Sequence, residues 1–200
     1  ADQPATPVAV KLYKGEMTSD GSPLHEMNAC ITAGLHRNLI RVEGRIADHP
    51  QQTAGLVMQL IPPSFSNLAS LPSLASCSRD IYPDDLRFSA AVALRIASGI
   101  ASVAEHLHGH GITHGDLYGH NILWNERGDC LLGDFGAASF HAISDSLESR
   151  ALQRIEVRAF GVLLGELLAR VDSGLSEEQR GVLEDLERRC CQPQVLARPG

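Results

Sequence analysis

Asp116, Asn121 and Asp134 are the side chains that give this 200-residue chain its chemistry. They lie in the stretch 110–139, HGITHGDLYGHNILWNERGDCLLGDFGAAS. Asp116 follows His114-Gly115, Asn121 comes five residues later, and Asp134 opens Asp134-Phe135-Gly136 eighteen residues after Asp116. Between them, Cys130-Leu131-Leu132 reads as a short apolar strand, after a turn marked by Asn125, Gly128 and Asp129. Such a hairpin would set the three oxygen-bearing side chains on the loops that flank it, within reach of one metal-phosphate unit. Carboxylate and amide oxygens suit a hard divalent cation shared with a phosphate. A carboxylate can also take a proton from an attacking hydroxyl. HGD or DFG alone is a weak signal; both in this order, with the asparagine between, are specific.

Elements on both sides must position these groups. The stretch 7–13, PVAVKLY, alternates around Lys11. That lysine either finds an anionic partner, since an unpaired buried ammonium is costly, or faces water from an edge strand. Ser22-Pro23 offers an N-cap and a first-turn proline. Leu24, Met27, Ile31 and Leu35 follow at helical spacing until Gly34-Leu35-His36 ends the helix. Glu26 stands early on that helix, either paired with Lys11 so that the amine points toward a phosphate, or simply solvated. Residues 39–46 and 55–61 read as further strands, the second stopped by Pro62-Pro63. A connector rich in Ser, Pro and Leu runs on to Tyr82 and separates a sheet-bearing part from a larger helical one. Apolar periodicity predicts helices over 83–107, 151–171 and 176–190, the last capped by Ser176.

Composition bounds the rest. A hydrophobic share of 44% is ample for a core in one domain or two small lobes. A net charge of −7, no basic run and 4% aromatics argue against nucleic acid as a partner. No apolar run approaches the ~18 residues of a membrane helix, so no membrane partner is expected. Cys30, Cys77, Cys130, Cys190 and Cys191 form no C-x-x-C pair and read as free thiols of a reducing cytosol. His106, His108 and His110 alternate along a helix end, where i and i+2 do not share a face, so they are not expected to hold a metal. His120 reads as structural, and Cys190-Cys191 as core and rim.

In chain order stand Val8-Ala9-Val10-Lys11, Glu26, His36-Arg37-Asn38-Leu39-Ile40, an LVMQ strand ending at prolines, HGDLYGHN, DFG and Glu156-Val157-Arg158-Ala159-Phe160-Gly161. That succession resembles the protein kinase family over nearly the whole chain, from the family's third strand to near its last helix. The resemblance implies an α+β, two-lobed fold. Residues 1–61 would be a partial N-lobe, a small sheet with one helix and the first two strands missing; residues 62–200 would be a larger, mainly helical C-lobe. It implies ATP and Mg²⁺ as cofactors and transfer of the γ-phosphoryl group to a protein hydroxyl, Ser/Thr rather than Tyr. Asp116 would orient the acceptor hydroxyl and take its proton. Lys11, oriented by Glu26, would contact the α- and β-phosphates, while Asn121 and Asp134 would hold Mg²⁺. Met58 would stand at the back of the adenine pocket, the backbone of Gln59 and Ile61 would bond adenine, and Ala9 and Leu123 would pack its faces. Cys30, Val42, His114 and Phe135 would stack between the lobes. The chain looks like a bacterial kinase of eukaryotic-like type, as found appended to leucine-rich repeats or secreted as an effector; the expected compartment is the cytoplasm, or a host's cytosol.

Departures from the family pattern are as informative. Residues 1–10 contain no glycine, so the glycine-rich loop is either lost with the first strands or replaced by another phosphate clamp. Gly115 stands where an arginine usually precedes the catalytic aspartate and receives an activation-loop phosphate, so switching by loop phosphorylation is not expected. Twenty-two residues separate Asp134 from Glu156, with no Ala-Pro-Glu between them, which reduces the peptide platform. Glu148 is the candidate to pair with Arg198 in place of that motif's glutamate. Tyr118 replaces the lysine usual in serine/threonine kinases, leaving acceptor choice open at that position. Two other classes stay open: a small-molecule kinase of the aminoglycoside or choline type, favoured by the short segment, and a pseudokinase binding module, favoured by the missing glycine loop.

Overall fold

The computed structural model describes residues 6–13, 22–47, 49–50, 53–76 and 79–200; Cys77 therefore lies outside the described residues. Its small half is a three-stranded antiparallel sheet in the order β1-β3-β2, from β1 (Val8–Leu12), β2 (Val42–Arg45) and β3 (Gly55–Gln59), with α1 (Pro23–Thr32) lying against β2. Alternation in β1 turns Val8, Val10 and Leu12 outward, while Ala9 and Lys11 face inward. The valines thus do not form the core side of this strand. The sheet can carry a lysine inward because Glu26, only 6% exposed on α1, neutralises it.

The larger half is built on α2 (Ala90–Gly109), whose Ile96, Ile100, Val103 and Leu107 are fully buried. Among the described residues, α2 is long and apolar enough to cross a membrane by length and composition alone, with a mean hydropathy of 1.3. This corrects the reading that no apolar segment reaches that length: Arg95, Glu105 and scattered small polar residues interrupt the run without lowering its average enough. In the fold this helix is the buried axis of the larger half. Against it pack α3 (Leu147–Leu168) and, beyond α3, α4 (Glu177–Cys190). Short strands complete this half. β4 (Ser66–Asn67), β7 (Ile122–Trp124) and β8 (Cys130–Leu132) form one sheet, β5 (Phe88–Ser89) pairs with β10 (Val171–Ser173), and β6 (Ile112–Thr113) pairs with β9 (Ser139–Phe140).

Element boundaries shift where caps and tertiary pairing override periodicity. The expected strand 39–46 is confined to Val42–Arg45, because Leu39 bridges instead to Leu132, with the Leu132 N–H on the Asn38 carbonyl and the Ile40 N–H on that of Leu132. β3 ends at Gln59 rather than 61, since no partner strand extends beyond Val8. The helix expected from 83 starts at Ala90, where Ser89 accepts the Val92 N–H, and it runs two residues past Leu107. α3 starts earlier than 151, at the Ser146 cap, and stops at Leu168 because Val171 enters a strand. α4 begins at a full capping box of Ser176 and Gln179, as its sequence predicts. Ser22 precedes α1 with Pro23 in its first turn, but its side chain makes no capping bond.

Candidate active site

Lys11 on β1 and Glu26 on α1 form an ion pair between Nζ and Oε1. This decides between the two readings of each residue: the lysine, on an edge strand and partly exposed, is paired with an anion, and the glutamate is not solvated. Burial pulls the Lys11 amine toward neutrality, but the hydrogen bond and charge of Glu26, with the charge of Asp134, outweigh it and hold its pKa above the ordinary lysine value. The amine stays cationic at neutral pH and lies 5.3 Å from the centre of the Tyr13 ring. Burial and the charge of Glu26 push the neighbouring Cys30 thiol up to about 12.

The stretch from His114 to Asn121 hangs between two buried carboxylates. Glu156 of α3, 4% exposed, accepts the His114 and Gly115 backbone N–H groups on Oε1 at 2.6 and 3.0 Å. Its Oε2 meets His108 Nε2 at 2.7 Å. At the far end, Asp80 accepts the Gly119 N–H at 2.8 Å and the His120 N–H at 3.1 Å, and contacts His120 Nδ1 at 2.7 Å. His114 is fully buried and bonds the Gly133 carbonyl through Nε2 at 2.8 Å, tying this loop to the one that carries Asp134. Within the loop, the Asn121 amide nitrogen donates to the Asp116 carbonyl at 2.9 Å and to Asp116 Oδ2 at 2.7 Å. That leaves the Asn121 amide oxygen as the atom it can offer to a cation. His120 Nε2 lies 3.8 Å from Asp116 Oδ2, so His120, read from sequence as structural, holds one end of the loop and also borders the chemistry.

Gly115 has a physical reason to be glycine. Its φ is +79°, and a Cβ placed there would fall 2.2 Å from the Ala137 carbonyl oxygen. The position is therefore more than a lost arginine: the segment after Asp134 packs directly on the loop backbone. Asp134 itself has φ +57°, unusual outside glycine. Its side chain is solvent-accessible and accepts the Gly136 N–H at 3.2 Å. Backbone held in this region at a cleft is the kind of local strain found where a side chain must be aimed. Phe135 is buried with its ring 5.1 Å from that of His114. Cys30 and Phe135 share the lining of one pocket, and Cys30 and Val42 that of a neighbouring one.

Lys11, Glu26, Met58 and Asp134 line a single pocket between the two halves. Ala9, Gln59, Ile61 and Leu123 are not among its lining; Ala9 pairs with Met58 across the sheet, Gln59 gives its N–H to the Arg41 carbonyl, Ile61 follows β3, and Leu123 lies in β7 opposite Asn67. The expected Glu148–Arg198 pair is absent. Arg198 donates to the carbonyls of Gln192, Arg154 and Pro193, because the turn before it wraps its guanidinium inside the base of α3. His106, His108 and His110 each have a hydrogen-bond partner: the Ala33 carbonyl, Glu156 and the His106 carbonyl. Sequence reading gave no role to Asp80 or His108, and none to Glu156 beyond its place in the motif. Asp80 sits in an aperiodic connector and binds backbone N–H groups that no sequence distinguishes. A buried acid inside an apolar helix stripe was the available signal for Glu156.

A fold of two unequal halves, with Lys11, Glu26 and Asp134 lining the pocket between them and the Asp116–Asn121 loop tied to that pocket's Gly133 through His114, defines a class, and comparison with known proteins agrees. The protein kinase domain family matches residues 2–155, and the chain belongs to that family. Its similar proteins include two probable LRR receptor-like serine/threonine-protein kinases of Arabidopsis thaliana. One is 27% identical over 177 residues, covering 76% of this chain and 28% of the relative; the other is 28% identical over 203 residues, covering 89% and 32%. Cyclin-dependent kinase 11.2 of Caenorhabditis elegans is 26% identical over 146 residues, covering 72% of this chain and 20% of its own length. The chain thus spans less than a third of the curated relatives it matches.

Proposed function

We propose that this domain is an ATP-dependent protein kinase that transfers the γ-phosphoryl group to a serine or threonine hydroxyl. The observation that carries the reading is the gathering of Lys11, Glu26 and Asp134 around one pocket, beside a loop in which Asn121 is bonded to Asp116. Transfer of this kind demands positioning and charge neutralisation more than covalent chemistry. Lys11, locked by Glu26, contacts the nucleotide phosphates. Asp116 orients the acceptor hydroxyl and takes its proton. The donor set fits magnesium: Asn121 and Asp134 supply two oxygens and, among the described residues, no group of three or more acidic, histidine or cysteine side chains forms an all-protein cage. A hard ion of that size commonly takes its other ligands from water and substrate phosphates. When bound, the ion would neutralise phosphate charge.

The same reading makes the domain independent of loop phosphorylation. Gly115 offers no guanidinium to a phosphate, and the segment after Asp134 is already fixed by β9 on β6, by the Phe140 ring 5.3 Å from His25 of α1, and by Ser149 Oγ on the Ala142 carbonyl at 2.8 Å. It places the domain in the cytoplasm or a host's cytosol, where its thiols stay reduced. A small-molecule acceptor is the second reading, favoured by the twenty-two residues from Asp134 to Glu156.

The metal assignment is tested by thermal melting with ATP and Mg²⁺. Asp134→Ala is expected to melt slightly below the wild type without ligand, because it gives up the Gly136 N–H bond at a positive φ, and to lose the Mg²⁺-dependent stabilisation by nucleotide. Undiminished stabilisation in the variant would remove Asp134 from the site.

A further inference from the structure

A second concavity, of about 370 Å³, adjoins the catalytic loop. Arg79, Arg158 and Arg198 line it together with Tyr118, and no carboxylate does. Arg79 is built into the loop's support: its Nη2 donates to the Leu117 carbonyl at 3.0 Å, and its guanidinium lies 4.2 Å from the centre of the Tyr118 ring. Tyr118 in turn stacks on His120 at 5.5 Å. Arg198 is 6% exposed and has only carbonyl oxygens as partners. Arg158 is exposed on α3, two residues beyond Glu156. Among the described residues, no ion pair joins any of these three guanidinium groups to a carboxylate. Glu166, which accepts the Tyr82 hydroxyl, feels the charge of Arg79 but does not pair with it.

Three clustered guanidinium groups, none of them in an ion pair among the described residues, stand out in a chain whose net charge is −7. A buried guanidinium carries a desolvation cost that carbonyl dipoles offset only in part. The planar guanidinium is also the side chain best shaped for carboxylate or phosphate. The wall of this pocket is continuous with Leu117 and Tyr118, which directly follow Asp116. An extended polypeptide advances ~3.3 Å per residue, so a hydroxyl at Asp116 and an anion in the pocket can belong to one short segment.

We propose that this arginine pocket binds an anionic side chain, carboxylate or phosphorylated, of the acceptor polypeptide and so selects acidic segments near the phosphorylated hydroxyl. The proposal rests on the protein kinase reading above. Its test is fluorescence anisotropy with the full chain and three labelled peptides. Each contains one serine flanked by glutamates, by phosphoserines or by glutamines. The proteins are wild type, Arg158→Glu and Arg158→Lys, Arg158 being exposed and outside the nucleotide pocket.

The anionic peptides are expected to bind the wild type at least about tenfold more tightly than the glutamine peptide. Arg158→Glu should erase that difference, Arg158→Lys should retain most of it, and ATP-dependent stabilisation should be the same in all three proteins. Tighter binding of the phosphoserine peptide assigns the pocket to phosphate, and the reverse assigns it to carboxylate; either supports the site. Equal affinity for anionic and glutamine peptides, or for wild type and Arg158→Glu on an anionic peptide, overturns it. Binding needs no transfer, so peptide that binds with the expected arginine dependence but is never phosphorylated counts against the kinase reading and leaves the anion site standing.

Discussion

Replacing Glu156 tests how the catalytic loop is held. The carboxylate is 4% exposed and accepts three hydrogen bonds, from the His114 and Gly115 backbone and from His108. Alanine would leave two buried N–H groups without an acceptor, each costing about 1–3 kcal/mol. It would also remove the hydrogen bond to His108, about 0.5–1.5 kcal/mol. These losses share one site and do not add fully, so a total of about 2–5 kcal/mol is expected for Glu156→Ala. Glutamine behaves differently because both backbone donors use the same oxygen, Oε1. Its amide oxygen can keep those bonds while its nitrogen faces the His108 ring nitrogen, limiting the loss to about 1 kcal/mol. Urea denaturation at pH 8 measures both variants against the wild type. A Glu156→Ala loss below about 1 kcal/mol, or a glutamine variant as weak as alanine, would refute this account of the loop's anchorage. If the alanine variant does not fold, the glutamine variant still decides, because a loss of several kcal/mol there contradicts the two-bonds-on-one-oxygen geometry.

Gly115→Ala adds a Cβ 2.2 Å from the Ala137 carbonyl oxygen at a φ of +79°; a destabilisation of about 1–3 kcal/mol is expected, with loss of transfer exceeding loss of nucleotide binding, and wild-type behaviour would contradict the packing. Cys30 and Cys130, with thiols pushed up to about 12 and about 11 by burial, should resist iodoacetamide at pH 8 in the folded protein and react once urea is added. The sign follows from raised values, which leave only ~10⁻³–10⁻⁴ of each as thiolate at that pH. Rapid labelling of either by mass spectrometry without denaturant would show that it is not buried as described.

What could be read in advance was the chemistry that side-chain identity and spacing encode. Asn121 bonds Asp116 within one loop, and the β7–β8 hairpin leads from that loop to Asp134, while the Lys11–Glu26 pair follows from the need of an inward lysine for an anion. The supports were harder to foresee because they act on the backbone. Asp80 and Glu156 bind N–H groups that every non-proline residue has, so nothing in residues 114–121 asks for them by type. Gly115 read as a missing arginine until its φ and the nearby Ala137 carbonyl gave it a steric reason. Arg198 was assigned a carboxylate by analogy, whereas the turn at Gln192 and Pro193 offers it carbonyls. α2 concealed its hydrophobicity by spreading polar residues along its length, and helix starts moved to wherever a serine could cap them.

In the proposed kinase, Asp116 directs phosphoryl transfer from a nucleotide held by Lys11 and Asp134 to a protein hydroxyl. Radiolabelled ATP with Mg²⁺ and a whole-cell lysate, comparing wild type with Asp116→Asn, addresses it most directly. The expected result is labelled protein bands with the wild type, a fall of ~10²–10⁴-fold with Asp116→Asn, and equal ATP-dependent stabilisation of both proteins. Equal incorporation by the two proteins, or label only in small molecules, would contradict it.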